Sequence, residues 1–155
     1  MTEAATTETH VQAEGGTCET VPVHFDDLDS YGMVHHGRYA SLLERGLTSY
    51  WVRAGFSFDR STTIPDQYQV IRALEFVYEF PITSIGEVLV EFWIERLGRT
   101  SWTYAFRIMS GDRTTVHATG KRVQVNLDPA TGKSTPFSPE AVERAQPLVR
   151  PGVAG

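Results

Sequence analysis

A switch of hydrophobic period, from helical to alternating, constrains this chain more than any other feature. Tyr39, Leu42, Leu43, Gly46, Leu47, Tyr50 and Trp51 recur at three- and four-residue steps, so a helix would place them on one face. Arg38, Ser41, Glu44, Arg45, Ser49 and Arg53 fall mostly on the other face, and Gly55 stands where a left-handed cap would end the helix. Beyond Pro65 the period becomes two. Leu74, Phe76, Tyr78 and Phe80 alternate with Ala73, Glu75, Val77 and Glu79 until Pro81 breaks the run. Val88, Val90, Phe92 and Ile94 alternate in the next run, and Trp102, Tyr104, Phe106 and Ile108 in the one after. Gly98-Arg99 and Gly111-Asp112 mark turns between them, and a further strand is predicted from Thr114 to Asn126. Thr17 to Phe25, rich in β-branched and aromatic residues, predicts a strand before the helix. Ser138 and Pro139 read as the N-cap and first turn of a short helix.

The order is strand, long helix, then four strands joined mainly by short turns. It predicts an α+β fold in which one long helix packs on a five-stranded antiparallel sheet. Several strands are apolar on both faces, with Leu89 and Trp93 opposite Val90 and Phe92. Another copy of the chain is therefore expected to cover part of the second face or an edge. A homodimer or homotetramer is the expected assembly.

At 155 residues the chain suits one domain, expected over 17–146, with a disordered polar tail over 1–16 and a loose tail over 147–155. A net charge of -5 argues against a broad nucleic-acid surface. No apolar run approaches the roughly 20 residues of a membrane span, and the polar start lacks the pattern of a secretory signal, so a cytoplasmic location is expected. The single cysteine, Cys18, has no partner for a disulfide or a zinc site.

The chemistry is concentrated between the first strand and the helix, in His24-Phe25-Asp26-Asp27-Leu28-Asp29-Ser30-Tyr31-Gly32-Met33-Val34-His35-His36-Gly37-Arg38-Tyr39. The first N–H groups of a helix have no internal partner, carry partial positive charge and can stabilise an oxyanion. A carboxylate just ahead of them can attack a carbonyl or activate water beside it. Asp also caps turns in such loops, which is the ordinary reading of Asp27 and the alternative for Asp29. A calcium loop starting at Asp27 would need its closing acid at Arg38, which is a cation. Adjacent His35 and His36 lack the one-turn spacing of a helical zinc pair, so no metal site is expected. The absence of a Gly-x-Ser-x-Gly elbow argues against a serine hydrolase.

The same stretch resembles the 4-hydroxybenzoyl-CoA thioesterase family of hotdog-fold enzymes, which includes the acyl-CoA thioesterases associated with the Tol–Pal system. The matching positions are Phe25, Asp27, Asp29, Gly32, Val34, Tyr39 and Glu44, followed by the Phe76-Val77-Tyr78 strand, the Gly98-Arg99-Thr100-Ser101 turn and the Asp128-to-Gly132 turn. The resemblance runs roughly from Cys18 to Ala145. It implies a hotdog fold and hydrolysis of an acyl thioester carried on CoA or on an acyl carrier protein, with no cofactor beyond the coenzyme A of the substrate. It implies Asp29 as nucleophile or general base, and His36 as the residue whose backbone N–H polarises the thioester carbonyl. It further implies contacts from Arg99, Thr100 and Ser101 to a CoA nucleotide. Gly37, Tyr39, Leu43 and Phe76 are the expected substrate-binding residues around the acyl group, and Arg38 is expected to contact either that group or a neighbouring subunit. Two positions depart from the family pattern. Arg38 stands where a small polar residue is common, and Leu47 where an Arg is common. A hydratase or dehydratase on the same fold, and a non-catalytic acyl-CoA-binding protein, are the competing expectations.

Overall fold

The helical period becomes helix α1, Tyr39–Arg53, in the computed structural model, which describes residues 14–57, 59, 66 and 68–151. The buried face of α1 is Tyr39, Leu42, Leu43, Gly46, Leu47 and Trp51, the stripe that the spacing predicts, with Tyr50 packed at its margin. Gly55 follows with φ 91° at the helix end. Strand β1 is Thr17–Val23, and the alternating runs become β2 (Gln69–Tyr78), β3 (Gly86–Leu97), β4 (Ser101–Ser110) and β5 (Val116–Asn126). A short helix α2, Pro139–Ala145, starts at Ser138, whose hydroxyl accepts from the Ala141 N–H at 3.2 Å.

The five strands form one antiparallel sheet in the order β1-β3-β4-β5-β2. The short link after β2 suggests that β2 and β3 are neighbours, but they are not. Residues 79–85 carry the chain across the end of the sheet, and β2 pairs with β5 at the far edge. Alternation identifies the faces of a strand but not its partner. The first strand also ends earlier than expected, at Val23. Phe25 opens a 3-10 turn, Phe25–Asp27, and lies exposed.

The core lies between α1 and the sheet. Val90, Phe92 and Ile94 of β3 and Trp102, Tyr104, Phe106 and Ile108 of β4 are almost fully buried there. Each such side chain contributes roughly 1.5–3 kcal/mol of burial energy. Trp51 of α1 stacks on Trp102, centroids 5.5 Å apart, and Trp102 stacks on Phe137 at 3.9 Å. The Trp51 indole N–H donates to the Tyr104 hydroxyl at 3.1 Å.

The packed part of the chain runs past the boundary expected at residue 146. Gln146–Leu148 form a 3-10 turn with Leu148 fully buried, Val149 bridges to Ile94, and the Arg150 guanidinium covers the Trp93 ring at 3.4 Å. These residues continue the sheet edge beside β3 past Thr17, where β1 begins, because their apolar side chains find a place there. The tail expected over 1–16 lies outside the described residues except for its last three. The loop expected up to Pro65 lies mostly outside them too. Among the described residues, no helix is long and apolar enough to cross a membrane.

Candidate active site

Two tight turns carry the sequence from β1 into α1 and set the geometry of the site. The first is anchored from below. Asp27 is completely buried, and its carboxylate receives two hydrogen bonds from Arg45 of α1, at 2.9 and 3.2 Å, and one from the His24 N–H at 2.8 Å. Burial pushes this carboxyl up, but the Arg45 and His24 hydrogen bonds and the Arg45 charge outweigh it and hold it below 3.8. Asp27 is therefore structural, as its place in the turn suggests.

The second turn presents Asp29. Its N–H donates to the Met33 carbonyl at 2.8 Å, and the Gly32 N–H returns to the Asp29 carbonyl at 3.0 Å. A bridge between Leu28 and Val34 closes the base of the loop. Gly32 has φ 75°, a left-handed conformation that a Cβ would strain, and the turn needs it there. Oδ1 of Asp29 accepts from the N–H groups of Tyr31 and Met33, at 2.9 and 3.3 Å. Among the described residues Oδ2 has no hydrogen-bond partner, so one carboxylate oxygen orients the group and the other is uncommitted.

From Val34 the chain is tied to the residues after β2, through the Val34 N–H on the Ile82 carbonyl at 2.8 Å. A 3-10 turn, His36–Arg38, then feeds directly into α1. Among the described residues the His36 N–H finds no acceptor, as expected for the first donor of a helical turn.

Asp29, Met33, Val34, His36 and Tyr39 line one side of a cavity of about 400 Å³, and Tyr78, Glu79, Phe80 and Pro81 line the other. Three residues expected from sequence, Asp29, His36 and Tyr39, thus come together. Tyr39 packs edge-on against Phe76 and Tyr78, with centroids 6.3 and 5.0 Å away. Burial pushes its hydroxyl above the ordinary phenol range, against a hydrogen bond from the Ile82 amide. Phe76 supports this wall from behind, stacked on Tyr78 at 5.8 Å.

The other expected contacts are placed differently. Gly37 and Arg38 are exposed on the turn that enters α1. Leu43 belongs to the core and is 0% exposed, because the face it shares with Tyr39 turns toward the sheet one helical turn further on. Arg99, Thr100 and Ser101 lie at the opposite end of the sheet. Ser101 pairs with Val125 and the Asn126 N–H donates to Thr100, whereas the cavity lies beyond Tyr78, paired with Ala118. The wall from Tyr78 to Pro81 was not expected. Its only sequence signal is the aromatic alternation ending at Pro81, and nothing in that run says that it faces Asp29.

Among the described residues one trio, His24, Asp26 and Asp27, brings three potential metal-ligating atoms within 4.8 Å of one another. The Arg45 guanidinium already occupies the Asp27 carboxylate, so a cation there would have to displace it.

Comparison with known proteins agrees with this fold. Residues 31–117 match the model of the thioesterase superfamily. Among curated proteins, none matches the chain. A protein of Pseudomonas aeruginosa has a similar solved structure, with TM-score 0.78 and 16% identity over 91% of this chain and 96% of that one. A 1,4-dihydroxy-2-naphthoyl-CoA thioesterase from Synechocystis gives TM-score 0.76 and 14% identity over 84% of this chain and 96% of that one. At such identities these two likenesses concern the fold. A thioesterase of Thermus thermophilus, solved with coenzyme A and Zn, is 27% identical over 84% of this chain and 92% of that one, with TM-score 0.68. The family model spans more than half of the sequence, from Tyr31, two residues after Asp29, through α1 to His117 in β5, and the chain belongs to the thioesterase superfamily, as a hotdog-fold enzyme that hydrolyses thioesters.

Proposed function

We propose that the chain hydrolyses an acyl-CoA thioester in the cavity between Asp29 and Tyr78. The observation that carries this reading is the juxtaposition of a half-free carboxylate with an uncommitted helix-entry N–H, at Asp29 and His36, in one apolar-walled cavity. The thioester carbonyl oxygen accepts from the His36 N–H, which stabilises the charge that develops there on attack. Oδ2 of Asp29 either takes the proton of an attacking water or attacks the carbonyl carbon itself. In the first route the new C–O bond comes from water, the C–S bond breaks, and the proton held by Asp29 leaves with the thiol. In the second Asp29 forms a C–O bond to the carbonyl carbon as the C–S bond breaks, and the thiolate leaves and takes a proton from water. A water then opens the mixed anhydride to free acid and the Asp29 carboxylate. The His36 side chain lines the same cavity and positions substrate or water. Tyr39 and Tyr78 wall the acyl group. Coenzyme A as the thiol is supported by the Thermus thermophilus relative, which was solved with it bound.

The site is completed by a second copy. Strand β2 is a sheet edge of ten residues with Val70, Ile71, Leu74, Val77 and Tyr78 exposed along it. An edge this long and apolar is a template for pairing. Antiparallel pairing of β2 with β2 of a second copy sets the Gln69 end of one strand beside the Tyr78 end of the other. That brings Arg99, Thr100 and Ser101 of the second copy toward the Asp29 cavity, where Arg99 would meet the phosphates of CoA.

The test is thiol release from a panel of aromatic, short aliphatic and long-chain acyl-CoAs, with matched acyl carrier protein thioesters. Turnover of acyl-CoAs supports the reading. Hydration of 2-enoyl-CoAs without thiol release, or tight CoA binding without turnover of any thioester, would overturn it. Label found in Asp29 after a single turnover in ¹⁸O-water identifies direct attack with the anhydride opened at the Asp29 carbonyl carbon, whereas label confined to the released acid fits either route.

A further inference from the structure

The two peptide units that surround the proposed oxyanion donor are held at nearly every polar atom. The His35 carbonyl accepts from the Arg38 N–H at 2.8 Å, and the His35 N–H donates to the Asp27 carbonyl at 3.0 Å. The His36 carbonyl accepts from the Tyr78 hydroxyl at 3.2 Å and from the Tyr39 N–H. The Gly37 N–H donates to Nδ1 of the His35 side chain at 3.1 Å. Only the His36 N–H is left over, and His36 lines the Asp29 cavity. The peptide between His36 and Gly37 is thus gripped at its oxygen by Tyr78 and at its nitrogen by His35, and the Gly37 N–H contact to His35 Nδ1 closes a ring that contains the preceding His35–His36 peptide, the one that carries the free N–H.

We infer that His35 is a positioning residue for the hydrolysis, and that its neutral imidazole, by closing the ring to the Gly37 N–H, is the cap that keeps the His36 N–H aimed in its productive direction. The inference rests on the proposed role of the His36 N–H. Side chains that cap a residue two positions on are usually those of Asp, Asn, Ser or Thr. An imidazole can do the same only through a nitrogen that carries no proton. Acceptance at Nδ1 therefore requires the neutral tautomer protonated at Nε2. The imidazolium has no lone pair to offer, so protonation frees the Gly37 N–H and releases one of the two grips on this peptide. The choice of His rather than Asn makes the cap sensitive to pH. The ionisable group beside its ring is His36, with centroids 4.1 Å apart; Asp27, whose carbonyl takes the His35 N–H, has its carboxylate committed to Arg45, and Asp29 and Tyr78 line the cavity that His36, not His35, enters. A small displacement of an oxyanion donor is enough to slow a reaction about tenfold or more.

NMR reads the cap directly in the resting enzyme. His35 is expected in the Nε2–H tautomer, and the Gly37 amide resonance is expected to move with the titration of the His35 ring. A Gly37 amide that ignores His35 overturns the cap, whatever the enzyme hydrolyses. Kinetics on an acyl-CoA read the role. His35→Ala is expected to lower kcat about tenfold with KM within about twofold of wild type. His35→Asn, whose amide oxygen can accept from Gly37, is expected to restore kcat to within about twofold and to abolish the acid limb that wild type owes to His35, leaving only limbs set by other groups. A His35→Ala enzyme with wild-type kcat, or a His35→Asn enzyme with the wild-type acid limb, overturns the positioning role. If Asp29→Ala is inactive in the same assay, the hydrolysis reading survives that result. Full activity of Asp29→Ala would instead remove Asp29 from the chemistry and leave the hydrolysis standing, whereas wild type that releases no thiol from any acyl-CoA would overturn the hydrolysis reading, and with it the role of His35.

Discussion

Arg45 on α1 and Asp27 beneath the Asp29 loop form a two-pronged ion pair, at 2.9 and 3.2 Å, in which the carboxylate is fully buried and the guanidinium is partly open to solvent. The pair ties the loop that presents Asp29 to the helix that begins at the substrate cavity. Arg45→Ala would leave a buried carboxylate with only the His24 N–H. The expected loss of stability is about 2–3 kcal/mol, toward the low end for breaking a buried pair because Arg45 is partly solvated. The folded-state pKa of Asp27 lies below its unfolded value of 3.8, so the pair's contribution is complete above 3.8 and disappears as pH falls through the folded value. Denaturant melts of wild type and Arg45→Ala should therefore differ at neutral pH and converge in acid. A constant gap across that range would contradict the assignment.

The edge of β2 gives a prediction about assembly. Ile71 and Val77 are exposed on it, and lysines at both positions would place like charges along any two-fold pairing of β2 with itself. The Ile71→Lys, Val77→Lys double variant is expected to sediment as a monomer where wild type sediments as a dimer or larger. Its acyl-CoA turnover should fall with the loss of assembly. A double variant with wild-type mass would place the interface elsewhere.

Gly120 permits the pairing that puts Tyr78 on the cavity. It lies opposite Phe76 on β2 and Phe106 on β4, and a Cβ there would collide with the Glu75 carbonyl and the Phe106 ring. The carbonyl is backbone and cannot turn away without moving β2. Gly120→Ala is expected to cost about 3 kcal/mol and to lower turnover as well, since Tyr78 would shift with its strand. Thermal melts and kinetics check both, and a variant as stable and active as wild type would show that β2 gives way freely.

The helix, the strand faces and the core were legible in the sequence because each depends on spacing along a single segment. Leu42, Leu47 and Trp51 are buried where a period of 3.6 places them, as are Val90 and Phe92 where a period of two does. Sheet order was not legible. Alternation in Leu74–Tyr78 describes two faces but is silent on whether β3 or β5 lies alongside. The near half of the site, Asp29, His36 and Tyr39, could be read because it is local and carries a spaced motif. The far wall, Tyr78 to Pro81, reaches the site only through the β2–β5 pairing and the Val34–Ile82 hydrogen bond. Leu43 was misplaced for a related reason. It shares a helix face with Tyr39, but that face meets the cavity at its first turn and the core at its second.

The most direct measurement is the rate of thiol release from the best acyl-CoA of the panel by wild type and by Asp29→Ala, with melting temperatures compared to confirm that both fold. Losing the carboxylate removes the nucleophile or base, so kcat is expected to fall by a factor on the order of 100 to 10,000 while the protein stays folded. Equal rates for the two proteins would contradict the account by removing Asp29 from the chemistry.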